Sequence, residues 1–177
     1  DLVIASGRRA LPASFYIKRQ SPKTFVVQLQ DPHCNPALFD MLVVPEHDAL
    51  RAPNVETSIG ALHRVTPELL QQEADIWRPR WQDLQGPYAA VLIGGPNAIY
   101  RFDEKVEAQI IRELRAVLAS FAGSLLITCS RRTPASMVQA IQREVVQNGP
   151  YARRAWLWDN TGDNPYFGML GVASHII

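Results

Sequence analysis

Two short stretches of the chain resemble one another: Ser6-Gly7-Arg8-Arg9-Ala10-Leu11-Pro12-Ala13-Ser14 and Ser130-Arg131-Arg132-Thr133-Pro134-Ala135-Ser136. Each follows an apolar run that reads as a buried strand, and each leads into a helix. Arginine at a helix start works against the helix dipole, because the free N–H groups of the first turn already carry partial positive charge. An anion bound there reverses that penalty by taking charge-assisted bonds from the guanidinium and N–H groups. The chemistry this pattern fits is recognition of a phosphate or a carboxylate. The competing reading is of solvated arginines whose long side chains bend away.

A third stretch, Tyr88 to Tyr100, supplies the setting. Its run Ala89 to Ile93 is short, continuous and apolar, which suits a strand of a parallel sheet buried on both faces. The run ends in Gly94-Gly95-Pro96-Asn97, where missing side chains let a ligand or another backbone come close. Open α/β sheets place ligands at the carboxyl ends of their strands. The pair lacks the full G-x-G-x-x-G spacing, so a tight turn explains it equally well. Asn164-Pro165-Tyr166 offers a polar group and a ring, although a helix start also accounts for its Asn and Pro. The residues expected to hold a phosphate-bearing ligand are Gly7, Arg8, Arg9, Gly94, Gly95, Asn97, Ser130, Arg131, Arg132, Thr133, Asn164 and Tyr166.

His33, His47 and His63 have no metal-ligand spacing, and Asp31, Glu46 and Asp48 are residues that loops commonly contain. A catalytic base at His47 or Asp31 is a weaker candidate. No G-x-S-x-G, P-loop or H-E-x-x-H motif occurs. No metal and no resident cofactor are expected.

The elements that must carry these residues alternate between strand and helix. Leu2 to Ala5 reads as a strand, followed by a helix to about Lys18 with Pro12 in its first turn. Thr24 to Gln30 and Met41 to Val44 are further strands, separated by the loop Asp31 to Pro36. Asn54 to Gln85 is less regular, apart from a helix that Thr66 caps and Pro79 ends. Trp77 and Trp81 are expected to pack there rather than to stack on a ligand. In the second half, Asp103 caps a helix whose Val106, Ile110, Leu114, Val117 and Phe121 are expected to form its buried face. Ser124 to Cys129 is a strand, and the helix opened by Pro134 carries Met137, Ile141 and Val145. Ala155 to Trp158 is a strand, Asp159 to Asp163 a polar loop, and a short apolar helix leads to a last strand at His175. This alternation predicts an α/β fold: two Rossmann-like lobes of parallel sheet, residues 1–66 and 87–177, with residues 67–86 as a linker helix and turn.

The net charge of +1 gives no global field for nucleic acid or an acidic membrane, and no segment approaches a membrane span. Two cysteines far apart, Cys34 and Cys129, fit a reducing cytoplasm, with Cys129 a small core residue. The chain opens on Asp1-Leu2-Val3-Ile4-Ala5 without a signal peptide ahead of it and stops on Ser174-His175-Ile176-Ile177, which reads as a strand just begun. Both ends are therefore expected to be cuts in a longer protein that supplies more strands.

The segments DLVIASGRRALP, VLIGGPN, TCSRRTP and WDNTGDNPYFGMLGVASHII, in that order and across essentially the whole chain, resemble the mitochondrial-fission "elongated mitochondria" family of plants and bacteria. The resemblance implies a GT-B-like fold, incomplete in this chain, with two Rossmann-like lobes facing each other across a cleft as in nucleotide-sugar glycosyltransferases. It implies a nucleotide sugar as the substrate and a metal-independent transfer. Plant members are implicated in recruiting a dynamin-related protein to mitochondria, so a noncatalytic scaffold that binds a protein partner, peripheral to a membrane, is the other function implied. Bacterial members are mostly named only as transferases. In the family the strand that begins at His175 runs on into a Ser- and acid-containing segment similar to a donor-ribose site. A chain ending at Ile177 is therefore expected to lack turnover.

Overall fold

The computed structural model describes residues 1–177, which divide into two compact units, Asp1–Arg64 and Val65–Ile177. The first unit is a four-stranded parallel sheet in the order β1 (Leu2–Ser6), β2 (Phe25–Leu29), β3 (Met41–Pro45), β4 (Val55–Ser58). Helix α1 (Leu11–Gln20) crosses from β1 to β2 with Pro12 in its first turn, where no N–H is missed. Its Leu11 and Phe15 pack on Val26, Leu42 and Val44 of the sheet. Two expectations change here. β1 is an edge strand, with Leu2 60% and Ile4 62% exposed and only Ala5 buried, because β2 alone flanks it. β4 lies in the stretch expected to be irregular, since a short edge strand with Glu56 and Thr57 exposed carries no apolar run.

The second unit begins with α2 (Pro67–Trp77), whose cap Thr66 accepts a hydrogen bond from the Leu69 N–H at 3.2 Å. Residues 67–86, expected as a linker, instead build part of this unit's core, because α2 packs along α5 (Tyr166–Val172). Gly168 permits that approach, since any Cβ there would strike the ring of Trp77. The sheet is parallel in the order β7 (Ala155–Leu157), β6 (Ser124–Cys129), β5 (Tyr88–Ile93), β8 (Ala173–Ile176). α3 (Glu104–Ser120) joins β5 to β6. α4 (Ala135–Ile141), continued by a π-helical stretch Gln142–Gln147, joins β6 to β7.

Side chains alternate across this sheet as strand geometry requires. Val91, Leu125 and Ile127 face a core with Leu114 and Leu118 of α3 and Met137 and Ile141 of α4. Ala90 and Leu126 face Trp77, Trp81 and Met169 on the other side. Both faces are thus covered, and every residue of β6 is buried. Asp103 caps α3 through the Val106 N–H at 3.0 Å, but the buried stripe is Ile111, Leu114 and Leu118. Val106, Ile110, Val117 and Phe121 flank it, half-buried, because the helix is rotated by about one residue from the face the apolar spacing suggests. No helix of the chain is long and apolar enough to cross a membrane.

Candidate functional site

The strand order of the second unit turns at β5. The chain winds outward through β6 and β7, then returns to place β8 on the other side of β5. Open α/β sheets bind ligands at the carboxyl ends of their strands, beside the point where the strand order reverses. A cavity of about 650 Å³ lies there. It is lined by Leu92, Ile93 and Gly94 from the end of β5, by Thr128, Cys129, Ser130 and Arg131 from the end of β6, by Trp158 and Asn160 after β7, and by Asn164 and Tyr166 at the start of α5.

Of the residues singled out in the sequence, Gly94, Ser130, Arg131, Asn164 and Tyr166 meet in this cavity. Gly95, Arg132 and Thr133 lie beside it with a different task. The Thr133 hydroxyl reaches the Gly94 carbonyl at 2.8 Å and the Ile93 carbonyl at 3.2 Å, and the Ser130 N–H donates to the Ile93 carbonyl at 2.8 Å. These bonds sew the loop after β5 to the loop after β6. Ser130 Oγ lies 3.1 Å from Thr133 Oγ1 and accepts from the Arg132 N–H at 3.2 Å, which orients it at the cavity wall. Asn97 is turned to its own loop, where Oδ1 accepts from the Ile99 and Tyr100 N–H groups at 2.8 Å each. Asn164 Oδ1 accepts from the Tyr166 N–H at 3.0 Å, so the helix-start role and the cavity position coincide in one residue. Arg131 and Arg132 are exposed.

Gly7, Arg8 and Arg9 belong to the first unit. Gly7 adopts φ +75°, a conformation that favours glycine, and the chain then makes a 3-10 turn, Arg8–Ala10, before α1. Arg8 lines a separate cavity with His47 and Asp31, the two weaker candidates for a base.

Sequence reasoning missed Trp158, Asn160, Thr128 and Cys129 as cavity residues. Trp158 and Asn160 sit just past the carboxyl end of β7, and that position was the available signal. The Trp158 indole N–H donates to the Thr161 carbonyl at 2.9 Å, and Asn160 holds φ +64°. Asp159, in the same loop, is held below the usual carboxylate range by hydrogen bonds from the Thr161 hydroxyl and N–H. Cys129 is 3% exposed, and burial pushes its thiol up to about 11. At neutral pH the cavity thus presents one cation, several hydroxyl and amide groups, and two aromatic rings. It is equipped to bind an anionic group with a ring beside it.

Comparison with known proteins gives a family match over residues 1–177, to the model described as mitochondrial fission ELM1. The chain is 31% identical over 193 residues to the mitochondrial fission protein ELM1 of Arabidopsis thaliana, covering 96% of this chain and 44% of that protein. It is 24% identical over 213 residues to the uncharacterized protein RP120 of Rickettsia prowazekii (strain Madrid E), covering 100% of this chain and 58% of that protein. The chain therefore spans about half the length of these relatives. No solved structure matches.

Proposed function

The chain belongs to the mitochondrial fission ELM1 family, and from that premise we propose that its second unit is the nucleotide-binding unit of a GT-B-type glycosyltransferase. In this reading the cavity at the carboxyl ends of β5 and β6 takes the diphosphate of a nucleotide-sugar donor. Arg131 and the Ser130 hydroxyl meet the phosphates, and Tyr166 or Trp158 lies against the base or sugar. The observation that carries the reading is the convergence of Gly94, Ser130, Arg131, Asn164 and Tyr166 on one cavity where the strand order turns. A cation positioned at a leaving diphosphate stabilises the charge that develops there, and this mode of transfer needs no metal. Cys34 and Cys129 are free thiols, which suits action in the reducing cytoplasm.

One observation favours a second reading. None of the side chains lining the cavity is a carboxylate or a histidine, and the one thiol is held protonated by burial, so a general base must come from elsewhere. The name of the plant relative, a mitochondrial fission protein, fits a scaffold that keeps the fold and recruits a protein partner. The two readings part in one experiment on the full-length protein and its Arg131→Ala variant, melted with and without nucleoside diphosphates. A nucleotide at a hundred times its dissociation constant adds about 2.7 kcal/mol of stability. The transferase reading expects that gain in the wild type, and expects Arg131→Ala to lose about 1.5 to 3 kcal/mol of binding while its ligand-free stability is unchanged or slightly higher. If no nucleoside diphosphate shifts the wild-type melt, or if the variant responds as the wild type does, the phosphate site is not there and the scaffold reading stands.

A further inference from the structure

The carboxyl edge of the first unit gathers chemistry that the nucleotide reading does not use. The loop after β1 brings Arg8, the loop after β2 brings Gln30, Asp31 and His33, and the loop after β3 brings His47 and Asp48, all to one cavity of about 300 Å³. Three residues other than glycine have positive φ in this chain: Gln30 at 71°, His33 at 53° and Asn160 at 64°. The first two line this cavity and the third lines the cavity of the second unit. Such conformations are strained for residues other than glycine and cluster where function requires a particular placement.

The placement here is well determined. Asp31 accepts the His33 N–H through Oδ1 at 2.7 Å and holds His33 Nδ1 with Oδ2 at 3.2 Å, which leaves Nε2 without a partner. Arg51 donates to the carbonyls of Glu46, Asp48 and Leu50 at 2.9, 2.6 and 2.7 Å, and so fixes the loop that carries His47 and Asp48. Beneath them Gln28, wholly buried, bonds through Nε2 to the carbonyl of Leu29 at 2.9 Å and reaches that of Gly7 at 3.4 Å. It thereby ties Gly7, just before Arg8, to the end of β2, just before Gln30. The Arg8 guanidinium has no partner.

We propose that this cavity is a second ligand site, for a small hydroxylated anion of the phosphate-ester class. Arg8 takes the acidic group, and the imidazole of His33, oriented by Asp31, takes a hydroxyl. The lining decides between ligand classes. Asp31 and Asp48 lie beside His33 and His47 at 3.2 and 3.8 Å, so Arg8 is the one charge of the lining without a partner, and the two carboxylates add acceptors that a bare anion would not use. Hydroxyl groups donate to carboxylates and to a free imidazole nitrogen, so a ligand with both groups uses every side of the cavity. No Trp, Tyr or Phe lines it, and its volume is less than half that of the second unit's cavity, which leaves no place for a nucleoside.

The test uses the full-length protein and glycerol 3-phosphate, a small probe with both groups, read by imidazole ¹H–¹⁵N correlation spectra. The expected result is a saturable shift of the His33 and His47 rings with none at His63 or His175. Glycerol and inorganic phosphate, titrated separately, should each bind more weakly. Arg8→Ala, a change at an exposed residue without a partner, should fold normally and bind the probe about tenfold more weakly, as loss of a charge-assisted bond implies. Arg131→Ala should bind it as the wild type does, which separates this site from the nucleotide reading. No saturable response at His33 and His47 would overturn the proposal, as would unchanged affinity in Arg8→Ala. Phosphate binding as tight as glycerol 3-phosphate would also overturn it, by showing that no hydroxyl is read.

Discussion

Gly95 lies so close to Arg132 that a Cβ added to it would sit 2.5 Å from the Arg132 carbonyl oxygen. The neighbouring Gly94 is open, with nothing within 4 Å of an added Cβ. The two glycines therefore answer to different demands, one to packing between loops and the other to free space at the cavity wall. Gly95→Ala is expected to cost about 1 to 3 kcal/mol in denaturant unfolding, the usual cost of overpacking, because the atom it meets is backbone. Gly94→Ala should leave stability within about 0.5 kcal/mol and act only on ligand binding. Equal stability losses in the two variants would show that the loop junction is not what Gly95 serves.

Asp40 is the hub of the first unit's polar contacts. Its carboxylate accepts from Lys18 Nζ at 2.7 and 2.9 Å and from the Val26 N–H at 2.7 Å, and the Lys18 bond chiefly holds its pKa below the ordinary aspartate value. A carboxyl whose folded pKa is depressed contributes stability above its unfolded pKa, near pH 4, and loses that contribution as pH falls through the folded value. Asp40→Asn should thus cost about 1 to 2 kcal/mol at pH 7, a range lowered for partial exposure. The gap to the wild type should close in acid. A gap that stays constant from pH 7 to about pH 2.5 would mean that the charge contributes nothing.

Cys129 and Cys34 should differ in reactivity. Burial raises the Cys129 thiol to about 11, whereas Cys34 is only half-buried. Iodoacetamide at pH 8 needs thiolate and access, so Cys34 should be alkylated first in the folded protein and Cys129 only on unfolding. Mass spectrometry of the labelled peptides reads this directly. Rapid native labelling of Cys129 would show that the cavity floor opens.

Trp81 is 1% exposed, stacked on Trp77 with ring centroids 5.6 Å apart and edge-on to Trp156 at 5.5 Å. Its indole nitrogen is buried without a hydrogen-bond partner. Trp81→Ala should cost about 3 to 5 kcal/mol by opening a cavity between α2 and the sheet. Trp81→Phe should cost clearly less, since it removes an unsatisfied donor along with the volume. Equal losses in the two would point to an unseen partner for the indole N–H.

Much of the architecture is local chemistry and was legible in the sequence. The apolar runs at Ala89–Ile93 and Leu125–Cys129, the caps at Thr66 and Asp103 and the spacing of Met137, Ile141 and Val145 each specify an element without reference to the rest of the chain. What lies beside what is not local. Whether β1 is central or an edge depends on how many strands flank it, and Leu2 and Ile4 read the same in either place. The rotation of α3 depends on the sheet it meets, so its buried stripe falls on Ile111 and Leu118 rather than on Val106 and Phe121. The resemblance between the two arginine stretches was visible in the residues alone. That Arg131 joins Gly94, Asn164 and Tyr166, while Arg8 joins Asp31, His33 and His47, follows only from parallel sheets that deliver distant loops to one edge.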